Sequence, residues 1–203
     1  MKIIGVGRNY LDHVRELQNE KPETPVIFMK PETALLRNHQ PFYLPEFSQN
    51  IQHEIEVVIR IGKEGKHISE KFAHKYIDGI GIGIDFTARD LQNQLKAKGL
   101  PWELAKSFDY SAPVSEMIPP SEFPDIQNIE FRLDVNGQTR QKGNTSQMIF
   151  SISFLIAHIS KYITLKKGDL IFTGTPQGVS SVQIDDHLEG YLENRKLLDI
   201  YVK

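Results

Sequence analysis

The sequence predicts an α+β fold that is predominantly β, with a few short helices, in a single domain over residues 1–203. Short segments rich in isoleucine, valine and phenylalanine recur along the chain, and several alternate apolar with polar residues, as strands do. Asn136-Gly137 stands between two such segments and is a strong hairpin signal. Helical spacing of apolar residues is confined to a few scattered stretches, which favours an α+β arrangement.

Local patterns in the first half of the chain indicate four strands and two short helical segments. We predict strands over residues 3–6, 26–30, 52–61 and 76–85, because each is rich in apolar or β-branched residues and ends at a turn-forming or polar residue. Leu11, Val14 and Leu17 recur at helical spacing, which predicts a short helix over residues 11–17. A short helix or turn is expected over residues 69–73.

The second half adds two helices and further strands. Residues 86–98 predict a helix with Thr87 as its N-cap and Gly99 at its end. Residues 113–124 hold four prolines and predict an extended loop. Strands are expected over residues 129–135, 138–142, 170–173 and 192–202, and a long helix over residues 146–163.

Residues 79–84 alternate glycine with isoleucine, which predicts a strand with one apolar face and one bare face. Another backbone can approach such a bare face closely. The pattern is not a dinucleotide fingerprint, because Ile84 stands where G-x-G-x-x-G requires its last glycine. The sequence also has no G-x-S-x-G motif, and Val57 stands where a zincin starting at His53 would need its second histidine.

Composition limits the classes of function. The chain has 24 Lys and Arg against 26 Asp and Glu, a formal net charge of -2, so a nucleic-acid partner is not expected. It has no cysteine, which excludes disulfides and thiolate sites and fits the reducing cytoplasm that we expect for it. We expect neither a signal peptide nor a membrane span, since the most apolar late stretch, residues 148–163, is shorter than the ~20 residues a span needs.

Glu54 and Glu56 are the first candidates for chemistry. On one extended strand their side chains would share a face, with Cα atoms roughly 7 Å apart. Like charges at that spacing disfavour ionisation, and a hard divalent cation with oxygen ligands would relieve the conflict. The alternative is that both glutamates line the solvated face of a half-buried strand.

Two further sites carry candidate titratable groups. His13 and Glu16 lie three residues apart on the short helix, where the carboxylate would orient the imidazole as a general base. The alternative is a surface ion pair. Lys106 lies among Trp102 and Phe108, so we expect partial desolvation to lower its pKa. The alternative is that its ammonium group extends to solvent.

Six segments in a fixed order resemble the fumarylacetoacetate hydrolase family over nearly the whole chain. They are Gly7-Arg8-Asn9-Tyr10 with His13 and Glu16; Phe28-Met29-Lys30-Pro31; His53-Glu54-Ile55-Glu56; Asp85-Phe86-Thr87-Ala88-Arg89-Asp90 with Gln92; Leu104-Ala105-Lys106-Ser107-Phe108-Asp109; and Thr173-Gly174-Thr175-Pro176-Gln177-Gly178-Val179. Each segment alone is weak, whereas all six in this order are specific. The departures from the family pattern are Glu32 and Ser180-Ser181, which leave the exact substrate open.

The resemblance implies a mixed β-roll or sandwich that forms a homodimer and binds Mg²⁺, with Mn²⁺ or Ca²⁺ as alternatives. By position, Glu54, Glu56 and Asp85 correspond to the metal ligands. His13 and Glu16 correspond to a dyad on a mobile lid, and Gln92 and Lys106 to groups that stabilise oxyanion charge. Arg89 and Thr175 correspond to substrate-binding residues.

The compact length resembles the single-domain branch, which includes acylpyruvate hydrolases, oxaloacetate decarboxylases and dienedioate isomerases. The implied reaction cleaves a carbon–carbon bond in a small 2-oxo or 2,4-dioxo acid, through a pyruvate enolate that the metal chelates. Isomerisation or decarboxylation of a 2-hydroxy-dienedioate is an alternative. A non-catalytic metal-binding relative is another, although the dyad and the oxyanion donors argue against it.

Overall fold

The computed structural model describes residues 1–37 and 40–203. In this part of the chain the strands are β1 (Ile3–Gly7), β2 (Val26–Lys30), β3 (Leu35–Leu36), β4 (Ile51–His53), β5 (Ile55–Ile61), β6 (Ile77–Ile84), β7 (Thr87–Ala88), β8 (Ala112–Pro113), β9 (Glu130–Val135), β10 (Gln138–Asn144), β11 (Leu170–Phe172), β12 (Ser180–Ser181), β13 (His187–Leu192) and β14 (Arg195–Tyr201). The α-helices are α1 (Leu11–Glu16), α2 (Arg89–Ala97), α3 (Glu103–Lys106) and α4 (Ile152–Tyr162), and short 3₁₀ turns lie between them. The prediction of a predominantly β fold with a few short helices is therefore confirmed.

A five-stranded mixed sheet in the order β2-β1-β11-β5-β6 forms the centre of the molecule. β1 and β11 are parallel, and the other neighbours are antiparallel. β5 alternates its side chains between two apolar clusters: Val57 and Ile59 belong to the larger core, whereas Val58 packs with Ile3 and Phe172 on the opposite face. Because both faces are covered, nearly all of β5 is buried.

A second, four-stranded antiparallel sheet in the order β10-β9-β13-β14 packs over the larger core. Leu133, Leu188 and Leu198 of this sheet share that core with Ile82 of β6. Two shorter sheets, β12-β4-β7 and β3-β8, complete the roll. Among the described residues, no helix is long and apolar enough to cross a membrane.

The bare face of β6 behaves as the sequence predicts. A Cβ added at Gly81 would lie 2.7 Å from Ser115 Oγ and 3.0 Å from Glu116 O, and one at Gly83 would lie 2.8 Å from Pro113 O. The proline-rich segment therefore packs directly on the β6 backbone. The predicted hairpin is also confirmed, with positive φ values of 52° at Asn136 and 74° at Gly137 joining β9 to β10.

Several predicted boundaries are wrong. The strand expected over residues 52–61 is two strands separated at Glu54, and the strand expected over residues 192–202 is one arm of a β13–β14 hairpin. The helix expected from residue 146 begins at Ile152, because the Ser151 side chain caps it by accepting from Phe154 N. Thr87 is not an N-cap; it lies in β7, and its hydroxyl donates to Asp85 O.

Candidate active site

Three buried carboxylates converge where the chain passes from one sheet to another. Glu54 lies between β4, which pairs in the three-stranded sheet, and β5, which pairs in the central sheet. Asp85 lies at the matching point between β6 and β7, and its backbone N–H donates to Glu54 O at 2.8 Å. Glu56 follows on β5, so Glu54, Glu56 and Asp85 each offer a carboxylate oxygen, and these atoms lie within 4.8 Å of one another.

Two lysines and an arginine surround this carboxylate triad. Lys106 Nζ donates to Glu54 Oε2 at 2.7 Å and to Asp85 Oδ2 at 2.5 Å. Lys30 Nζ lies 2.8 Å from Asp85 Oδ1, and Arg89 Nη2 donates to Glu54 Oε1. All three cations are nine-tenths or more buried. The triad is therefore embedded in compensating charge, as buried carboxylates must be.

The same contacts shift the pKa values of the buried groups. Burial would raise the pKa of Glu54, but Lys106 and Arg89 hold it well below its ordinary range. Burial and the charges of Asp85 and Glu54 raise the pKa of Glu56, which has a Gly174 N–H at 2.6 Å as a donor. The prediction for Lys106 is wrong in direction. Burial favours its neutral form, but Asp85 and Glu54 raise its pKa above the ordinary value.

His13 and Glu16 form a dyad on α1, and His13 lines the cavity that holds the triad. His13 Nδ1 lies 3.0 Å from Glu16 Oε2, and the other oxygen, Oε1, accepts from Gly178 N at 2.9 Å. Burial would raise the pKa of Glu16, but the hydrogen bonds from His13 and Gly178 bring it below its ordinary value. His13 is 5% exposed and lines the same cavity as the triad, so its Nε2 is the ring atom left to exchange a proton there.

Gln92, Arg89 and Thr175 also line this cavity, each held by contacts within the protein. Arg89 Nε donates to Gln52 Oε1 at 2.8 Å and its Nη1 donates to Gln92 Oε1, so the Gln92 amide is oriented with its NH₂ group left to donate. The Thr175 hydroxyl donates to Ile55 O at 2.8 Å. The structure therefore brings together all nine residues that the resemblance assigned to the site, while their individual roles stay predictions.

A buried glutamine on β10 ties these parts together. Gln141 Nε2 donates to Thr175 Oγ1 at 2.8 Å and to Pro176 O at 2.9 Å, and its Oε1 accepts from Ile55 N at 3.0 Å. The same oxygen lies 2.9 Å from His53 Nδ1. His53 Nε2 in turn lies 2.8 Å from Ser180 Oγ, so this departure from the family pattern extends the network. A β-bulge after Thr139 places Gln141 towards the interior.

The carboxylate triad fits a hard divalent cation. All three donors are oxygen atoms of buried carboxylates, which is the ligand set that Mg²⁺ and Mn²⁺ favour. Asp85 Oδ1 is buried and, among the described residues, has an ion pair with Lys30 but no hydrogen-bond donor. Such an oxygen has a lone pair to offer a metal.

Comparison with known proteins decides the family. The sequence matches the family described as "Fumarylacetoacetate (FAA) hydrolase C-terminal" over residues 2–202. The chain belongs to the fumarylacetoacetate hydrolase family. It is 47% identical over 187 residues to the Bos taurus protein named oxaloacetate tautomerase FAHD1, mitochondrial, covering 92% of this chain and 85% of that one. It is 46% identical over 183 residues to the Dictyostelium discoideum protein named oxaloacetate decarboxylase, mitochondrial, covering 90% of this chain and 84% of the relative.

A solved structure also supports the family and the fold. Fumarylpyruvate hydrolase from Pseudomonas aeruginosa, solved in complex with Mn²⁺ and pyruvate, superposes with a TM-score of 0.95 at 34% identity, covering 100% of this chain and 89% of that one. The predicted family and its fold are therefore confirmed. The relatives are enzymes by name, and the Pseudomonas aeruginosa structure holds a divalent metal.

The sequence did not predict four residues of this chain that lie at its candidate active site. Lys30 contacts Asp85, and Arg8, Lys96 and Trp102 line the cavity. Lys30 and Arg8 stood inside family motifs that could have drawn attention to them, whereas Lys96 carried no local signal. Burial and the positive charges of Arg89, Arg8 and Lys106 lower the pKa of Lys96 to about 8, against the opposing charge of Glu54.

Proposed function

We propose that this chain is a divalent-metal-dependent enzyme that breaks the carbon–carbon bond at C3 of a small 2-oxo acid. Oxaloacetate decarboxylation and acylpyruvate hydrolysis are the two reactions of this type that the site suits. The observation that carries the proposal is the buried carboxylate triad in one cavity with His13, whose imidazole contacts Glu16. Relatives named oxaloacetate decarboxylase and fumarylpyruvate hydrolase support it.

Glu54, Glu56 and Asp85 would hold Mg²⁺ or Mn²⁺. When bound, such a cation supplies Lewis-acid polarisation of the 2-oxo group and so favours enolate formation. Lys106 and Arg89 hold the pKa of Glu54 low, which keeps this carboxylate ionised and ready to bind.

The chain's own groups supply the proton chemistry. Glu16 accepts from His13 Nδ1, which leaves Nε2 to take a proton from water when an acyl group is hydrolysed. Gln92 would donate its amide NH₂ to negative charge that develops on substrate oxygen. Lys106 would do the same only after releasing one of its three present acceptors, Glu54, Asp85 and Thr87.

Tautomerisation is a second candidate. A base at the His13 position can also move a proton between C3 and the 2-oxo oxygen of oxaloacetate, so that a C3–H bond is exchanged for an O–H bond and no carbon–carbon bond is broken. The relative at 47% identity is named oxaloacetate tautomerase. Cleavage would give the enolate of pyruvate and tautomerisation the enolate of oxaloacetate, and because both are enolates of a 2-oxo acid, the same residues suit both.

One assay separates the candidates. Oxaloacetate prepared as the enol is followed by its ultraviolet absorbance while pyruvate release is measured in parallel, with Mg²⁺ or Mn²⁺ and with chelator. Metal-dependent pyruvate release above the metal-only background supports cleavage. Metal-dependent loss of enol absorbance with background pyruvate supports tautomerisation. If neither enol loss nor pyruvate release rises above background, with oxaloacetate or with acetylpyruvate, the proposed function is excluded.

We further propose that the enzyme is a homodimer that acts in the cytoplasm. The dimer is an expectation for the family, and light scattering after size-exclusion chromatography tests it. The absence of cysteine suits a reducing compartment. Two of the relatives described above carry "mitochondrial" in their names, so localisation of the tagged chain in its own cells is the deciding measurement.

A further inference from the structure

Two cations flank the only tryptophan at one side of the active-site cavity. Arg8 Cζ lies 5.8 Å from the Trp102 ring centroid, and Lys96 Nζ lies 5.3 Å from it. Arg8 comes from the turn between β1 and α1, whereas Lys96 comes from the last turn of α2. Residues that are 88 positions apart in sequence therefore present like charges to one aromatic ring and one cavity.

Among the described residues, 1–37 and 40–203, neither cation is paired with a carboxylate. The Nε of Arg8 is buried without a hydrogen-bond partner in the same part of the chain. Buried polar groups are normally satisfied, so an unsatisfied guanidinium nitrogen indicates a missing partner.

The backbone at Arg8 is also unusual. Its φ of 60° lies in the left-handed region, which costs energy for a residue with a Cβ. This conformation holds an arginine at the cavity where glycine or asparagine would be easier to place. Strain of this kind is found where the surrounding structure fixes a functional group.

The charge of the cavity supports an anionic ligand larger than a single carboxylate. Arg8, Arg89, Lys96 and Lys106 line it together with the three carboxylates of the triad. Lys106 and Arg89 are paired with the triad, whereas Arg8 and Lys96 are not. Unpaired positive charge therefore remains beside Trp102 in the cavity that the triad also lines.

We propose that Arg8 and Lys96 form a subsite, here called the distal subsite, that binds the second carboxylate of a 2-oxo dicarboxylic acid. The inference rests on the proposed function, because the oxo-acid end of the ligand would lie at the triad. The guanidinium can donate two parallel hydrogen bonds to a carboxylate, and the ammonium adds a third. The subsite makes the enzyme select dianionic 2-oxo acids over acylpyruvates that end in a neutral alkyl group.

Calorimetry with two unreactive ligands tests the distal subsite in Mg²⁺ buffer. N-Oxalylglycine carries an oxo-acid end and a distal carboxylate, whereas oxamate has only the oxo-acid end. The variants are Arg8→Asn, which suits a positive φ, and Lys96→Gln. Lys98→Gln is the matched control, because Lys98 is an exposed cation just beyond the same helix.

We expect wild type and Lys98→Gln to bind N-oxalylglycine more tightly than oxamate. Arg8→Asn and Lys96→Gln should each weaken the binding of N-oxalylglycine by roughly 10- to 100-fold, which is the range for losing a charge-assisted hydrogen bond. The affinity for oxamate should stay within about twofold of the wild-type value. Equal weakening of both ligands, or unchanged N-oxalylglycine binding, overturns the subsite while the proposed function stands. If wild type binds neither ligand with metal present, the proposed function fails and the subsite falls with it.

Discussion

Glu16 is hydrogen-bonded to the backbone of Gly178, with 2.9 Å between Glu16 Oε1 and Gly178 N. The carboxylate thereby joins α1 to the loop after β11, while its second oxygen orients His13. The Glu16 side chain therefore both holds α1 against the loop and orients the His13 imidazole. The backbone N–H of this glycine-containing loop therefore binds the protein's own carboxylate.

Gly178→Ala should release this segment. Gly178 has a φ of 100°, and an added Cβ would lie 2.1 Å from Arg140 O, so the loop must shift. Losing a hydrogen bond to a charged group costs roughly 1.5–3 kcal/mol, so amide exchange over residues 10–20 should rise about 10- to 100-fold. Gly168→Ala is the control, because its φ of 88° imposes similar strain but its added Cβ meets nothing within 4 Å. Equal exchange in both variants would refute the fastening role.

Glu56→Gln should abolish tight divalent-cation binding. A neutral amide in place of one of three converging carboxylates removes a charge that a hard cation requires. Mn²⁺ binding measured by electron paramagnetic resonance should weaken at least tenfold, and activity should be lost with it. Glu189→Gln is the control, since Glu189 belongs to a second, half-buried acidic group with His187 and Asp199. Unaltered Mn²⁺ binding in Glu56→Gln would remove the triad as the metal site.

The sequence predicted what local patterns determine. β1, β2, the β9–β10 hairpin and the bare face of β6 each follow from residues within a few positions. The break at Glu54 was missed because the pattern is continuous there, and only the pairing of β4 and β5 in different sheets interrupts the strand. Sheet membership depends on partners far along the chain.

The electrostatics of the site show the same limit. The apolar neighbours of Lys106 in sequence suggested a lowered pKa, yet Glu54 and Asp85 raise it from 52 and 21 positions away. Lys30, next to a proline at a strand end, gave no sign that its ammonium is buried beside Asp85. The family motifs located the site residues, but charges brought together by the fold determine their protonation.

Gln141→Leu should destabilise the protein strongly. The substitution removes the partners that Gln141 supplies to the buried Ile55 N–H and Pro176 O, each costing about 1–3 kcal/mol, and the donor to Thr175 Oγ1. We expect a loss of roughly 2–5 kcal/mol, or about 5–15 °C in Tm for a chain of this length. Gln138→Leu, at an exposed position of the same strand, should change Tm by only a degree or two. Similar Tm values for both variants would contradict the network.

The preference for dianionic substrates should weaken at alkaline pH. Burial and neighbouring positive charge lower the pKa of Lys96 to about 8, so its ammonium loses its proton as pH rises through that value. Below about pH 8 the charge attracts a distal carboxylate, and above it the attraction disappears. The kcat/KM for a dianionic 2-oxo acid should therefore fall above pH 8, and Lys96→Gln should remove that fall. A fall that persists unchanged in Lys96→Gln would assign it to another group.

His13→Ala should separate hydrolysis from decarboxylation. Hydrolysis of acetylpyruvate needs an activated water, so loss of the base should lower its kcat/KM by roughly 10²–10⁴-fold. Oxaloacetate loses carbon dioxide without attack by water, so its decarboxylation should fall less. The decarboxylase-to-hydrolase ratio should therefore rise, after correction for the metal-only background.

Lys106→Ala provides the second half of this test. His74→Ala, at an exposed position, is the control for His13→Ala. If Lys106 stabilises a tetrahedral oxyanion, a contribution of roughly 3–4 kcal/mol is lost in hydrolysis alone. However, Lys106 also contacts Glu54 and Asp85, so its removal should weaken metal binding and lower both activities together. Measuring each activity at saturating metal distinguishes the two effects: a ratio that still rises assigns Lys106 to the oxyanion, whereas a parallel fall assigns it to the metal ligands.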